Sequence, residues 1–167
     1  MPAKPKSAVT HRAARDLSKR VYVYRLDAEG RWSYGRNPMD DPALARQFFA
    51  DIQKSAQGSY FVDCEGERCQ VRVEDAPSFV DEIEIERGRA GLKAVKLLLA
   101  SGKKERLDPS TLETGRAGAL YCTDSRGLRA RFRRKPHLEL AALVEERGGR
   151  YFLKVGGKEY EVREPKT

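Results

Sequence analysis

Little in these 167 residues points to a catalytic centre. There is no Gly-x-Ser-x-Gly elbow, no G-x-x-x-x-G-K-S/T phosphate loop and no G-x-G-x-x-G turn. Histidine occurs only as His11 and His137, and cysteine only as Cys64, Cys69 and Cys122. A four-ligand zinc set with paired short spacings is therefore not expected, and neither a metal nor another cofactor is implied. No stretch approaches the roughly 18 consecutive apolar residues of a membrane span. The opening residues lack an apolar centre, so no secretory signal is expected. With an odd cysteine count, the expectation is a reducing cytoplasm.

Charge is present but unevenly spread. Residues 1–20 hold six Lys and Arg against one Asp, and residues 126–135 hold six with no acid at all. The net charge of the chain is only +8, so the remainder is slightly acidic. A basic arm and one basic stripe on an acidic body point to an anionic partner. Residues 1–19 read as a disordered, solvated arm, rich in Pro, Lys and Ala and without hydrophobic period.

The ordered part says the same thing twice. Tyr60 to Val71 reads YFVDCEGERCQV, and Tyr151 to Val162 reads YFLKVGGKEYEV. Tyr24, Asp27 and Gly30 likewise match Tyr121, Asp124 and Gly127. Between these blocks each half carries a helix pattern. The first opens with Asp41 as N-cap and Pro42 at the first turn, and buries Leu44, Phe48 and Ile52. The second opens at Pro136, presents Leu138, Leu140, Ala141, Leu143 and Val144, and stops at Gly148-Gly149. Phe79 to Glu86 and Leu92 to Leu99 read as further strands. The expected fold is α+β, mostly antiparallel, built from two duplicated hairpin–helix–hairpin units. Residues 20–90 form the first unit and 91–167 the second, packed as one body.

Two patterns carry candidate chemistry. In Leu128-Arg-Ala-Arg-Phe-Arg133 the strand period puts Arg129, Arg131 and Arg133 on one face. Like charges about 6–7 Å apart repel, so the row asks for an anion. That anion is either a ligand or the chain's own acidic row, Glu82, Glu84 and Glu86. Glu74 and Asp75 precede Ala76-Pro77, where turn chemistry is the preferred reading over acid–base work. Cys64 and Cys69 flank the first hairpin turn. Their counterparts, Val155 and Tyr160, are an ordinary packing pair, so the two cysteines read as small apolar residues.

Three blocks resemble an uncharacterised bacterial family, domain of unknown function 1285. They are Gly30-Arg-Trp-Ser-Tyr-Gly-Arg-Asn-Pro-Met39, Val71-Arg-Val-Glu-Asp-Ala-Pro77 and Arg126-Gly-Leu-Arg-Ala-Arg-Phe-Arg133. Leu44, Phe48, Tyr60 and Leu140 follow in the same order, and the likeness runs from about Tyr22 to Val162. A remoter resemblance is to an uncharacterised mitochondrial family. The first resemblance implies a duplicated α+β core whose second half looks like a pleckstrin-homology barrel. It also implies a nucleotide-like ligand between the halves and a signalling role. The chain departs from the family pattern at Ser78, where Phe is usual, and at Asp63-Cys64, where Thr and Pro are.

The functional expectation is a non-enzymatic regulatory domain binding an anionic, nucleotide-like molecule. Arg129, Arg131 and Arg133 would form one wall of its site and Glu74 and Asp75 the other. Nucleic-acid binding through the arm and the arginine stripe is the second reading.

Overall fold

The computed structural model describes residues 22–165. The expected arm, residues 1–19, lies outside them. The described chain has two α-helices and mostly antiparallel strands, an α+β architecture in duplicated halves. The compact units divide between Pro77 and Ser78. Sequence had set the boundary after residue 90. The strand β7 (Ser78–Gly88) moves it, because it hairpins onto β8 (Gly91–Leu99) and also pairs in parallel with β12 (Arg129–Phe132).

The first unit holds β1 (Val23–Leu26), β2 (Trp32–Tyr34) and β3 (Asn37–Pro38). The helix α1 (Pro42–Asp51) comes next, followed by β4 (Gln53–Lys54), β5 (Tyr60–Cys64) and β6 (Glu67–Val73). All six strands make one sheet in the order β3-β2-β1-β6-β5-β4, closed in its middle by the parallel pair β1–β6. Helix α1 begins as expected: the Asp41 carboxylate accepts from the Ala43 and Leu44 amides, and Pro42 occupies the first turn. It ends at Asp51, because Gln53 and Lys54 are drawn out as an edge strand against β5. The core is aromatic. Tyr24 and Trp32 meet Phe48 edge-on at 4.9 and 5.2 Å, and Trp32 meets Phe49 at 5.4 Å. Edge-to-face pairs of this kind add about 1 kcal/mol each beyond the area they bury.

The second unit repeats this plan with an insertion. Its added strands are β7, β8, β9 (Lys104–Arg106) and β10 (Glu113–Thr114). The repeated part is β11 (Leu120–Thr123), β12, α2 (Arg134–Ala141), β13 (Glu145–Arg147), β14 (Arg150–Val155) and β15 (Lys158–Val162). Six strands form a sheet in the order β10-β11-β12-β7-β8-β9, and β13-β14-β15 form a separate sheet of three. The duplication holds residue by residue. Val62 faces Cys69 and Cys64 faces Glu67; 91 residues on, Leu153 faces Tyr160 and Val155 faces Lys158. Gln53 faces Phe61 as Glu145 faces Phe152.

Helix α2 differs from its expected form. It starts at Arg134, not Pro136, with Arg133 as an N-cap residue whose side chain makes no capping hydrogen bond. Gly148-Gly149 do not stop it; they form the turn between β13 and β14. Leu138, counted on its apolar side, is 55% exposed, and the buried residues are Pro136 and Leu140. Leu140 joins Leu97, Leu112, Phe132, Leu153 and Val162 in a mainly aliphatic core.

Candidate functional site

The arginine stripe is built as its period requires. Leu128, Ala130 and Phe132 are buried, and Arg129, Arg131 and Arg133 alternate with them half-exposed. The stripe does not pair with Glu82, Glu84 and Glu86. β12 meets β7 in parallel at its first residues only, Ala130 beside Ser78 and Phe132 beside Val80. Further along β7, Glu84 faces Lys96 of β8, and Glu86 pairs with Lys93 at 3.4 Å. The partners are other acids: Arg129 meets Glu113 at 2.8 Å and Arg133 meets Asp81 at 2.5 Å. Each guanidinium also covers a ring. Arg129 stands 3.5 Å from the Tyr121 centroid and Arg133 4.8 Å from that of Phe79. Arg131 faces Tyr121 on one side and Phe79 on the other in register. Arg129 and Arg133 are thus balanced within their own unit.

Glu74 and Asp75 lie in the first unit and close a turn. The Glu74 carboxylate accepts from the Ala28 amide at 3.2 Å and pairs with Arg25 at 3.0 Å. Both partners are well exposed, so the pair contributes under about 1 kcal/mol. Cys64 and Cys69 are free and buried. The hydrogen bond that the Cys69 thiol makes to the neighbouring Cys64 sulfur, followed by burial, holds it far above its ordinary range. Burial first, then the carboxylate of Asp124, does the same to Cys122. Raised pKa values of this kind leave Cys69 and Cys122 as thiols at neutral pH.

A concave site exists elsewhere, inside the second unit. It encloses about 360 Å³, within the usual range of small-molecule pockets. Its floor is Leu120 of β11 and Val162 of β15; one wall is Ala141 at the end of α2 and Val144 in the turn after it. Thr114, His137, Glu146 and Tyr151 bring the polar atoms, from four different elements. Glu146 and Tyr151 are cross-strand neighbours, and Tyr151 stays 40% exposed. The rim is a tight turn. Gly115 passes so close to Tyr121 that a Cβ would sit 2.4 Å from the ring, and Ala117 and Gly118 follow with φ of 58° and 75°.

His137 lines this pocket beside Glu146 and Tyr151. Burial, then the charges of Arg131 and Arg134, pushes its pKa below the ordinary value. At neutral pH it is an uncharged imidazole with one donor and one acceptor. Among the described residues no carboxylate hydrogen-bonds it. None of the five residues singled out in sequence lines the pocket. Leu120 and Val162 share the core cluster with Ala130 and Phe132, so by strand alternation the arginines occupy the opposite face of the sheet.

Two duplicated units, each a hairpin, a helix and a three-stranded meander, define the fold class. The same fold is found in two solved structures of DUF1285 family proteins. One, from Silicibacter pomeroyi DSS-3, has a TM-score of 0.70 and 21% identity over 86% of this chain and 80% of that one. The other, from Shewanella baltica OS155, has a TM-score of 0.56 and 21% identity over 73% of this chain and 92% of that one. The likeness is one of fold. No family model and no curated protein matches the sequence.

Proposed function

We propose that this chain is a non-enzymatic, regulatory ligand-binding protein whose second unit seats a small molecule in the pocket beside α2. The cavity itself carries the reading: about 360 Å³, walled by aliphatic side chains, with a few polar groups converging on it. An apolar or aromatic body fits against Leu120, Val144 and Val162, with the Tyr151 ring available to stack. Arg131 and Arg134, outside the lining, act on His137 through their charge, which favours an anionic group at the His137 end over the Glu146 side. A nucleotide-like molecule meets both requirements.

The test uses anilinonaphthalene sulfonate, an aromatic anion whose fluorescence rises in apolar sites. The native chain is expected to bind it saturably. Ala141→Trp, which fills the pocket from an exposed helix end, should weaken that binding at least tenfold with the melting temperature held. Fluorescence indifferent to Ala141→Trp would contradict the assignment.

A further inference from the structure

A second surface lies in the first unit and does not involve the pocket. Strands β1, β6, β5 and β4 turn one face to α1 and the other outward. Pairing on the outward face sets Arg25 beside Arg72, Gln70 beside Phe61, Phe61 beside Gln53, and Arg68 opposite Asp63. Arg25, Gln53, Arg68, Gln70 and Arg72 are all exposed. The face runs against the charge of its unit: residues 22–77 carry seven Lys and Arg against ten Asp and Glu, yet three of the seven gather here. Arg25 is held by Glu74. Among the described residues neither Arg68 nor Arg72 forms an ion pair.

Arg68 has a distinct posture. Its guanidinium lies 3.8 Å from the Phe61 ring centroid, and Phe61 is only 8% exposed beneath it. The guanidinium sits over the ring while Arg68 stays exposed to solvent. A guanidinium plane held this way is a stacking platform for a nucleobase, with little side-chain freedom left to lose on binding. Arg72 and Arg25 sit on adjacent strands about 5 Å apart, which suits one backbone phosphate. The Gln53 amide donates to Asp63 at 3.4 Å, which leaves the Gln70 amide beside the platform to donate to and accept from base edges. Finally, the strand carrying Arg25 directly follows residues 1–20, with their six Lys and Arg against one Asp.

We propose that the outward sheet face of the first unit docks single-stranded nucleic acid, with Arg68 on Phe61 stacking a base and Arg72 and Arg25 holding the backbone. The test is anisotropy of the full chain with a fluorescein-labelled oligouridine, across a salt series. Saturable binding that weakens steeply with salt is expected. Arg72→Ala should lower the slope of log affinity on log salt by about 0.7. Arg68→Lys keeps the charge and loses the plane, so it should weaken binding about tenfold with the slope unchanged. Lys93→Ala/Lys96→Ala removes two charges from β8 and should change affinity less than about twofold. The pocket variant Ala141→Trp should leave the oligonucleotide bound, which separates this surface from the ligand pocket. The proposal is overturned by absent binding at low salt, or by a β8 double variant as damaging as the arginine changes. Equal dependence on Arg68 and Arg72 for phosphatidylserine vesicles, without oligonucleotide binding, also overturns it.

Discussion

The Asp27 and Asp124 turns are one device in two settings. In both, the aspartate amide donates to the carbonyl four residues on, and the glycine three residues on donates back, with φ of 84° and 83°. In both, one carboxylate oxygen accepts the same two amides, from Glu29 and Arg31 or from Arg126 and Leu128. The difference is solvent. Asp27 is half-exposed, whereas the Asp124 side chain is fully buried and paired with Arg126 at 3.1 Å. Removing Asp124 strands a buried amide and a guanidinium; removing Asp27 lets water replace it. Asp124→Ala is therefore expected to cost about 3 kcal/mol and Asp27→Ala about 1. Urea unfolding of the two variants measures both, and equal costs would break the comparison.

The helices differ in the same sense. α1 is capped by Asp41, while α2 starts at Arg133 with no side-chain cap. Asp41→Ala should lose about 1 kcal/mol, whereas Arg133 offers nothing comparable to remove from the α2 start. The hairpin tips provide a smaller contrast. Glu65 holds φ of 49°, a left-handed conformation, where its counterpart is Gly156 at 61°. Glu65→Gly should stabilise by about 0.5 kcal/mol, the left-handed strain removed being partly offset by a looser unfolded chain. Thermal melts resolve it, and destabilisation would show that Glu65 has a role beyond the turn.

The smallest effect is a pH dependence confined to the second unit. The folded pKa of His137 is depressed, so the unfolded chain binds the proton more readily. Stability is full above the unfolded value of about 6.5 and is lost as pH falls through the folded pKa. His137→Gln should flatten the melting temperature between neutral pH and about pH 5. An unchanged slope would place the His137 environment in error.

What could be read beforehand was local. The Asp-x-x-Gly turns, the paired Tyr-Phe hairpins and the Asp41-Pro42 start each encode their geometry within a few residues. What could not be read depends on distant pairing. The acids opposite Arg129 and Arg133 are set by the β10–β11 and β7–β12 registers, which no spacing near residue 130 announces. Gly148-Gly149 look like a helix stop until β13 is known to pair with β14. The pocket takes single residues from several elements and shares no motif. Its nearest signal is an apolar residue out of place, since Tyr151 stays exposed within a strand. The outward face of the first unit needed the cross-strand register to bring Arg68 over Phe61.

The central claim is that one copy of a duplicated plan has become a ligand pocket. Amide chemical shifts of the full chain, titrated with anilinonaphthalene sulfonate, address it most directly. The account predicts saturable shifts around Thr114, Leu120, His137, Val144, Tyr151 and Val162, with residues 22–77 unmoved. Shifts spread evenly over both units, or none at saturating probe, would contradict it.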